Sequence, residues 1–204
     1  GNIIDVCPVG ALTSRPFRFT ARAWEIAQTA SISPHDCVGS NLYLHTRNDK
    51  LMRTVPRENE AINEVWLSDR DRFAYQGVNN DDRLQQPMVK KGDGWQPVEW
   101  EEALHIVAQA LRERVEAQGA SQLGILVSPG ATLEEMSLVN QPAEGMGVNN
   151  IDHRLRQCDF TGQDKQPVFP FLGQTIEELE HVNAALVVGA NPRKAQTLIA
   201  LPDA

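Results

Sequence analysis

The sequence predicts an α+β region followed by an α/β region. Two observations carry this. Before about residue 84 the apolar side chains alternate in short runs between turn residues; after residue 97 they recur at helical spacing and lead into continuous apolar runs. Charge divides the chain at the same place. Residues 1–84 carry ten basic and eleven acidic side chains and residues 85–204 carry nine and sixteen, so nearly all of the net charge of −8 lies in the second part.

Each element has its own signal. Residues 1–24 read as the end of a domain. The short apolar run Ile3–Val6 enters Cys7-Pro8-Val9-Gly10-Ala11-Leu12, and a basic aromatic stretch follows from Arg15, Phe17, Arg18 and Phe19 to Arg22 and Trp24. In residues 25–84, Leu42 and Leu44 share one face of a strand over Asn41–Thr46, which leaves His45 on the solvated face. Asn48-Asp49 is a turn signal, and Leu51–Val55 returns as a strand ending at Pro56. Residues 58–75 read as a loop wrapped over this sheet, with Val65, Trp66, Leu67, Phe73 and Tyr75 as anchors. A boundary falls in residues 84–97, where Met88–Lys91 and an Asp93-Gly94 turn predict a hairpin. Trp100, Ala103, Leu104, Val107, Ala108, Leu111 and Val115 then mark an amphipathic helix stopped by Gly119. Leu123–Val127 is continuous in the way of a buried parallel strand. Thr132 with Glu135, and Thr175 with Glu178, have capping-box spacing and open two further helices. The second leads to another expected buried strand, Ala184–Val188, ending at Gly189.

Composition closes off several classes. With 41% hydrophobic and 23% charged residues there is enough apolar material to bury a core, which excludes general disorder. No apolar run reaches the roughly 18 residues of a membrane span. The start, Gly1-Asn2-Ile3-Ile4-Asp5-Val6, lacks the basic flank and apolar stretch of a signal peptide. Three distant cysteines, Cys7, Cys37 and Cys158, argue against a disulfide framework and for a reducing compartment. An acidic chain without a dense Lys/Arg stripe is a poor candidate for nucleic-acid binding.

Cys7 carries the most specific chemistry. In ferredoxin-like domains a C-x₂-C-x₂-C run is completed by a Cys-Pro elsewhere, because iron–sulfur clusters take thiolate ligands. Proline removes one N–H and fixes the turn, and small residues after it let the backbone approach the cluster. Residues 7–12 fit that use, and a purely structural Cys-Pro is the competing reading. The other ligands lie elsewhere, since Cys37 and Cys158 lack the spacing. His35 beside Asp36 and Cys37 admits a metal reading, with a solvent-facing loop as the plainer one. His153 with Arg154 and Arg156 admits an anion site, with an ion-pair role favoured. Cys158 reads as a small buried hydrophobe. His105 and His181 have no partner at ligand spacing. Arg15, Arg18 and Arg22 are placed to raise a cluster's potential, dock an acidic neighbour or simply pack. Gly189-Ala190-Asn191-Pro192-Arg193-Lys194 follows an expected strand but lacks the second glycine of a phosphate loop.

Taken together, three blocks say more. Cys7–Ser14 with Arg15-Pro16-Phe17-Arg18-Phe19, Val55–Leu67 with Asp69-Arg70-Asp71-Arg72-Phe73, and Asn150–Gln157 occur in one order across most of the chain. They resemble the family of large iron–sulfur subunits of bacterial NADH–quinone oxidoreductase, respiratory complex I. The resemblance implies an internal piece of a multi-cluster protein. Residues 1–24 would end a ferredoxin-like [4Fe–4S] domain, with Cys7 as the last thiolate of one cluster and its partners upstream, beyond which lie a [2Fe–2S] domain and a further [4Fe–4S] site. Residues 25–84 would be the small β-rich domain shared with molybdopterin oxidoreductases, and residues 85–204 the start of their α/β body. It further implies electron transfer from NADH and flavin through clusters toward quinone, coupled to ion pumping by the whole complex. The flavoprotein subunit and the quinone-proximal subunits of the hydrophilic arm would be partners, on the cytoplasmic face of the bacterial inner membrane. This piece would hold no catalytic site of its own.

The sequence departs from one version of the pattern. Members with an extra [4Fe–4S] cluster carry C-x₂-C-x₃-C and a fourth cysteine further on. Aligned on Asn41–Leu44, those positions are Ser33, Asp36, Ser40 and Ser68. None offers sulfur, and a hydroxyl is a poor substitute for a thiolate. No cluster is expected there, Cys37 reads as a bystander one residue out of register, and packing of Leu42, Leu44, Val55, Trp66 and Phe73 is expected to hold the domain. Two other classes share some of these residues: a molybdopterin-dependent oxidoreductase of the formate dehydrogenase kind, and a cluster-free piece that only bridges subunits.

Overall fold

The computed structural model describes residues 1–154, 159–167 and 171–200. Contacts group them into two units, Gly1–Arg83 with Pro167–Ala204, and Leu84–Gln166. The mixed α and β content agrees with the predicted fold class.

The first unit is built on a three-stranded antiparallel sheet in the order β1 (Ala27–Ile32), β2 (Asn41–Arg47), β3 (Lys50–Pro56). Asn48 and Asp49 join β2 to β3, both with positive φ, at +50° and +59°. A two-residue type I′ turn needs that conformation at both central positions, and Asn and Asp adopt it more readily than other side chains. The register slips between His45 and Thr46. This bulge overturns the expected alternation, and His45 is buried at 8% exposure instead of facing solvent.

The core of this unit differs from the expected one. Leu42 is buried, but Leu44, Val55, Trp66 and Phe73 are only half-buried. Leu67, fully buried, and Tyr75 take the central apolar places. Most of the buried set is polar: Ser33, Ser40, Asn41, His45, Thr54, Asn63, Asp71 and Arg72. Asn63 shows how these groups are accommodated. Its Oδ1 accepts the Asn41 N–H at 2.9 Å, while its Nδ2 reaches the carbonyls of Asn41, Arg57 and Trp66 at 3.1–3.3 Å. One amide thus pins the 59–66 loop to the edge of β2. The rest of the expected loop over 58–75 contains a helix, α2 (Asp69–Ala74), started by Ser68, whose side chain accepts the Asp71 N–H. A one-turn helix, α1 (Ile3–Val6), precedes Cys7.

The second unit opens with the predicted hairpin, β4 (Met88–Lys91) and β5 (Gly94–Pro97). Its turn is Gly92-Asp93, not Asp93-Gly94, because Lys91 pairs with Gly94. Gly92 has φ +64°, which suits glycine at the first central position of a type II′ turn. The amphipathic helix is α3 (Trp100–Gln118), closed by the Gly119 N–H on the Val115 carbonyl at 2.8 Å. Ala103, Ile106, Leu111 and Val115 form its half-buried stripe. The expected buried strand at 123–127 is shorter and more open. It is β6 (Ile125–Leu126), paired in parallel with β7 (Ile151–Asp152), and Leu126 is 63% exposed. Between them runs α4 (Leu133–Gly145). Its capping box forms as predicted, with Thr132 and Glu135 each accepting the other's N–H, at 3.2 and 2.8 Å. At its far end the Val148 N–H meets the Ala143 carbonyl and the Gly147 N–H the Glu144 carbonyl, a Schellman closure that buries Ala143 and Val148.

Two late expectations are corrected. The Thr175–Glu178 box forms, but it opens only a 3₁₀ turn, Glu177–His181. Residues 184–188 form no strand, and Leu186 and Val188 are 91% and 79% exposed. A strand is stable only with a ladder partner, and among the described residues none pairs with this run. After it, α5 (Pro192–Ala195) begins with proline at its first turn. Among the described residues no helix is long and apolar enough to cross a membrane.

Candidate functional site

Cys7 stands at the C-terminal end of α1, where the backbone leaves the helical region at φ −73°, ψ 108°. Pro8 blocks a further helical turn, and the Gly10 N–H returns to the Cys7 carbonyl at 3.2 Å. Gly10 has φ +62°, a left-handed backbone conformation that glycine takes without strain. The result is a part-exposed thiol at the start of a tight turn. The Leu12 N–H, with those of Val9, Ala11 and Gly10, holds the thiol below its ordinary value, against the opposing pull of partial burial. A thiol shifted in this direction leans toward the thiolate form that iron takes as a ligand.

The segment carrying Cys7 is fastened to the small sheet by arginines. Arg72 of α2, 4% exposed, pairs with Asp5 and donates from Nη2 to Asn2 Oδ1 at 2.9 Å. Asn2 Oδ1 also accepts the Leu67 N–H at 3.1 Å. Arg53 of β3 lies over the Phe17 ring, 4.1 Å from its centroid, and donates from Nε to His45 Nδ1 at 3.1 Å. Burial pushes the Arg53 guanidinium down, with the charge of Asp5 acting the other way. Burial, and then the neighbouring Arg53 charge, hold His45 neutral to below its ordinary value. Arg47 reaches the Thr20 carbonyl at 2.8 Å and Glu25 at 3.6 Å. Arg18 lies over Phe19, which is 91% exposed beside an exposed Trp24.

The four positions that lack cysteine are tied together by other bonds. Asp71 accepts the Ser33 hydroxyl on Oδ1 and the Ser68 hydroxyl on Oδ2, both at 2.7 Å. Asp36 Oδ2 accepts the Ser40 hydroxyl, and its Oδ1 accepts the N–H groups of Val38, Gly39 and Ser40 at 2.7–3.2 Å. Ser33 Oγ accepts the N–H groups of His35 and Asp36. The hydroxyls are thus already committed to two carboxylates. Cys37 is exposed, and burial followed by the charge of Asp36 pushes its thiol up, away from the thiolate. These residues do not fit a [4Fe–4S] cluster. Among the described residues no group of three or more His, Cys, Asp or Glu side chains is placed to hold a metal ion.

The remaining candidates are mostly dispersed. His35, His105, His153 and His181 are exposed. Arg154 forks onto Asp152 at 2.7 and 3.1 Å and covers the Phe160 ring, and this fork holds the Asp152 carboxyl well below its usual range. That is the ion-pair role rather than a free anion site. Arg156 and Cys158 lie outside the described residues. Gly189 turns with φ +60° ahead of α5, without a second glycine. The sequence pattern does not single out Asp71, Arg72 or Asn63, although Ser68 three residues before Asp71 has the spacing of a helix cap.

Comparison with known proteins adds to this geometry. Residues 83–201 match the family described as molybdopterin oxidoreductase, and residues 26–76 match the NADH-ubiquinone oxidoreductase NDSU1/NuoG-like 4Fe-4S domain. The chain is 39% identical over 194 residues to an NADH-quinone oxidoreductase subunit of Rickettsia bellii, covering 95% of this chain and 28% of that protein. It is 39% identical over 203 residues to the mitochondrial NADH dehydrogenase [ubiquinone] iron-sulfur protein 1 of Solanum tuberosum, covering 98% and 26%. It is 38% identical over 196 residues to the mitochondrial 78 kDa subunit of NADH-ubiquinone oxidoreductase of Candida albicans, covering 95% and 26%. The chain therefore spans little more than a quarter of the length of these curated relatives.

Proposed function

The chain belongs to the molybdopterin oxidoreductase family, with the large iron–sulfur subunits of NADH–quinone oxidoreductase as relatives, and from that membership we propose that it is the middle of such an electron-transfer subunit. Cys7 supplies one thiolate to a [4Fe–4S] cluster whose other ligands lie outside these residues. When bound, the cluster accepts and passes on one electron at a time. The chain's own part is to hold the thiolate at the end of α1, ahead of the turn that Pro8 and Gly10 form, and to anchor that segment on the small sheet. Residues 26–76 keep the form of a cluster domain but carry electrons through no cluster of their own. The whole protein passes electrons from a flavin site toward quinone, within the hydrophilic arm of the complex and on the cytoplasmic face of the membrane, beside the flavoprotein and quinone-proximal subunits. The observation that supports this most is the Cys7-Pro8 turn at the end of α1 in a chain aligned along 95% of its length with an NADH-quinone oxidoreductase subunit.

The test is EPR spectroscopy and iron analysis of the intact protein. Cys7→Ser is expected to remove one cluster signal and about four irons, the content of a [4Fe–4S] cluster. Cys7→Ser with every signal intact would sink the ligand assignment. The match over residues 83–201 favours a second reading, in which the α/β part binds a molybdopterin and the protein oxidises a small substrate. Molybdenum at near one atom per purified protein would move the assignment to it.

A further inference from the structure

We propose that Arg72 is a positioning residue for Cys7, holding the one-turn helix that delivers the thiolate and offsetting the negative charge that Asp5 places two residues from the sulfur. The proposal rests on the reading of Cys7 as a cluster ligand. Its starting point is that α1 has little to hold it. A four-residue helix is far below the length that persists alone. It has no side-chain N-cap, no buried residue, and Ile3 and Val6 are 64% and 47% exposed. Of its apolar side chains only Ile4 is half-buried, so apolar packing alone does not place it. Two side chains of α1 and its flank converge on Arg72, which takes Asp5 from within the helix and Asn2 from just before it.

Arg72 is in turn held rigidly. It follows Asp71 on α2, and Asp71 is bridged by Ser33 from the sheet side and Ser68 from the helix cap. Thr54 of β3 donates to the Asp71 carbonyl at 2.6 Å. The polar network at the positions without cysteine is thus the footing of the arm that reaches α1. Asp5 is 18% exposed on its side chain and its partner 4%, so solvent screens this pair weakly. With Arg72 removed, the Asp5 carboxylate, two residues before Cys7, loses its ion-pair partner, and an added electron on a bound cluster is disfavoured.

The experiment is an EPR-monitored redox titration of the intact subunit with its clusters assembled, on Arg72→Met, Arg72→Lys, Asp5→Asn and Cys7→Ser. Cys7→Ser identifies the signal in question by its loss. Arg72→Met is expected to retain that signal, broadened and with a lower midpoint potential. Asp5→Asn is expected to move the potential upward, and Arg72→Lys to stay close to the parent protein. Hydrogen exchange of the amides at residues 3–7 is expected to quicken in Arg72→Met and not in a distant surface variant such as Gln109→Ala. If Arg72→Met does not assemble, Asp5→Asn decides alone. The proposal is overturned if the signal lost in Cys7→Ser keeps its potential and line shape in Arg72→Met, or in Asp5→Asn where the former does not assemble. If Cys7→Ser loses no signal, the ligand reading fails first and this proposal with it.

Discussion

Asp71 is the residue on which the first unit turns. Its two carboxylate oxygens satisfy hydroxyls from either side, Ser33 across the sheet and Ser68 within its own helix cap, at 3% exposure. Asp71→Ala leaves the buried Ser33 hydroxyl and the half-buried Ser68 hydroxyl without this acceptor. A hydrogen bond to a charged group contributes about 1.5–3 kcal/mol, so a loss of that order is expected in denaturant unfolding, with Ser68→Ala losing less. His45 makes a different prediction. Its folded pKa lies below the unfolded value of about 6.5, because burial and Arg53 disfavour the charged ring. The unfolded chain therefore binds the extra proton first. Stability is full above about pH 6.5 and falls as the pH drops through the folded value. Thermal unfolding between about pH 7.5 and 5 is expected to show this slope, and His45→Gln to flatten it. Cys7 stands out in the sequence as a candidate because Cys-Pro followed by small residues is a local signal. Asp71 and His45 do not, since their roles depend on Ser33, 38 residues away, and on a bulge that no alternation reveals.

At the scale of elements, helix caps and hairpins follow their local signals, and the expected strand at 184–188 does not. The Thr132–Glu135 box closes reciprocally as its spacing predicts. Thr132→Ala is expected to cost about 1 kcal/mol and to speed amide exchange in the first turn of α4. Thr175→Ala is expected to cost less, since the same box there starts a single 3₁₀ turn with little to lose behind it. The hairpin turns were equally readable, although Gly92, not Gly94, took the special conformation. What the sequence pattern missed is the three-strand sheet's dependence on polar burial. Leu44, Val55, Trp66 and Phe73 look like core in a linear pattern, and bonds from Asn63, Thr54 and Asp71 occupy the interior instead. An apolar run such as 184–188 signals a capacity to pair, and only a partner strand turns that capacity into structure.

For the whole chain, one grouping of contacts gives way to the other along exposed, irregular backbone over residues 80–86. Limited proteolysis is expected to cut there before it cuts the β2–β3 hairpin, and mass spectrometry of the first products checks this. First cleavage inside residues 41–56 would contradict it. The order of the three sequence blocks suggests an internal piece of a longer protein, and the chain covers 28% and 26% of the length of two relatives. The division of contacts at Gln166 and Pro167 had no counterpart in composition, because the acidic excess continues across it.

The open run at residues 184–188 has a colloidal consequence. Ala184-Ala185-Leu186-Val187-Val188 is apolar, uncharged and free of proline, and its large side chains face solvent. Such a segment, unpaired, is a template on which identical segments of other molecules can stack as cross-β. The cations at Arg193 and Lys194 stand too far along to interrupt it, and the acidic residues before it end at Glu180. Wherever this run lacks a neighbouring strand, self-association of the chain is driven from this point, and the net charge of −8 is the main force opposing it.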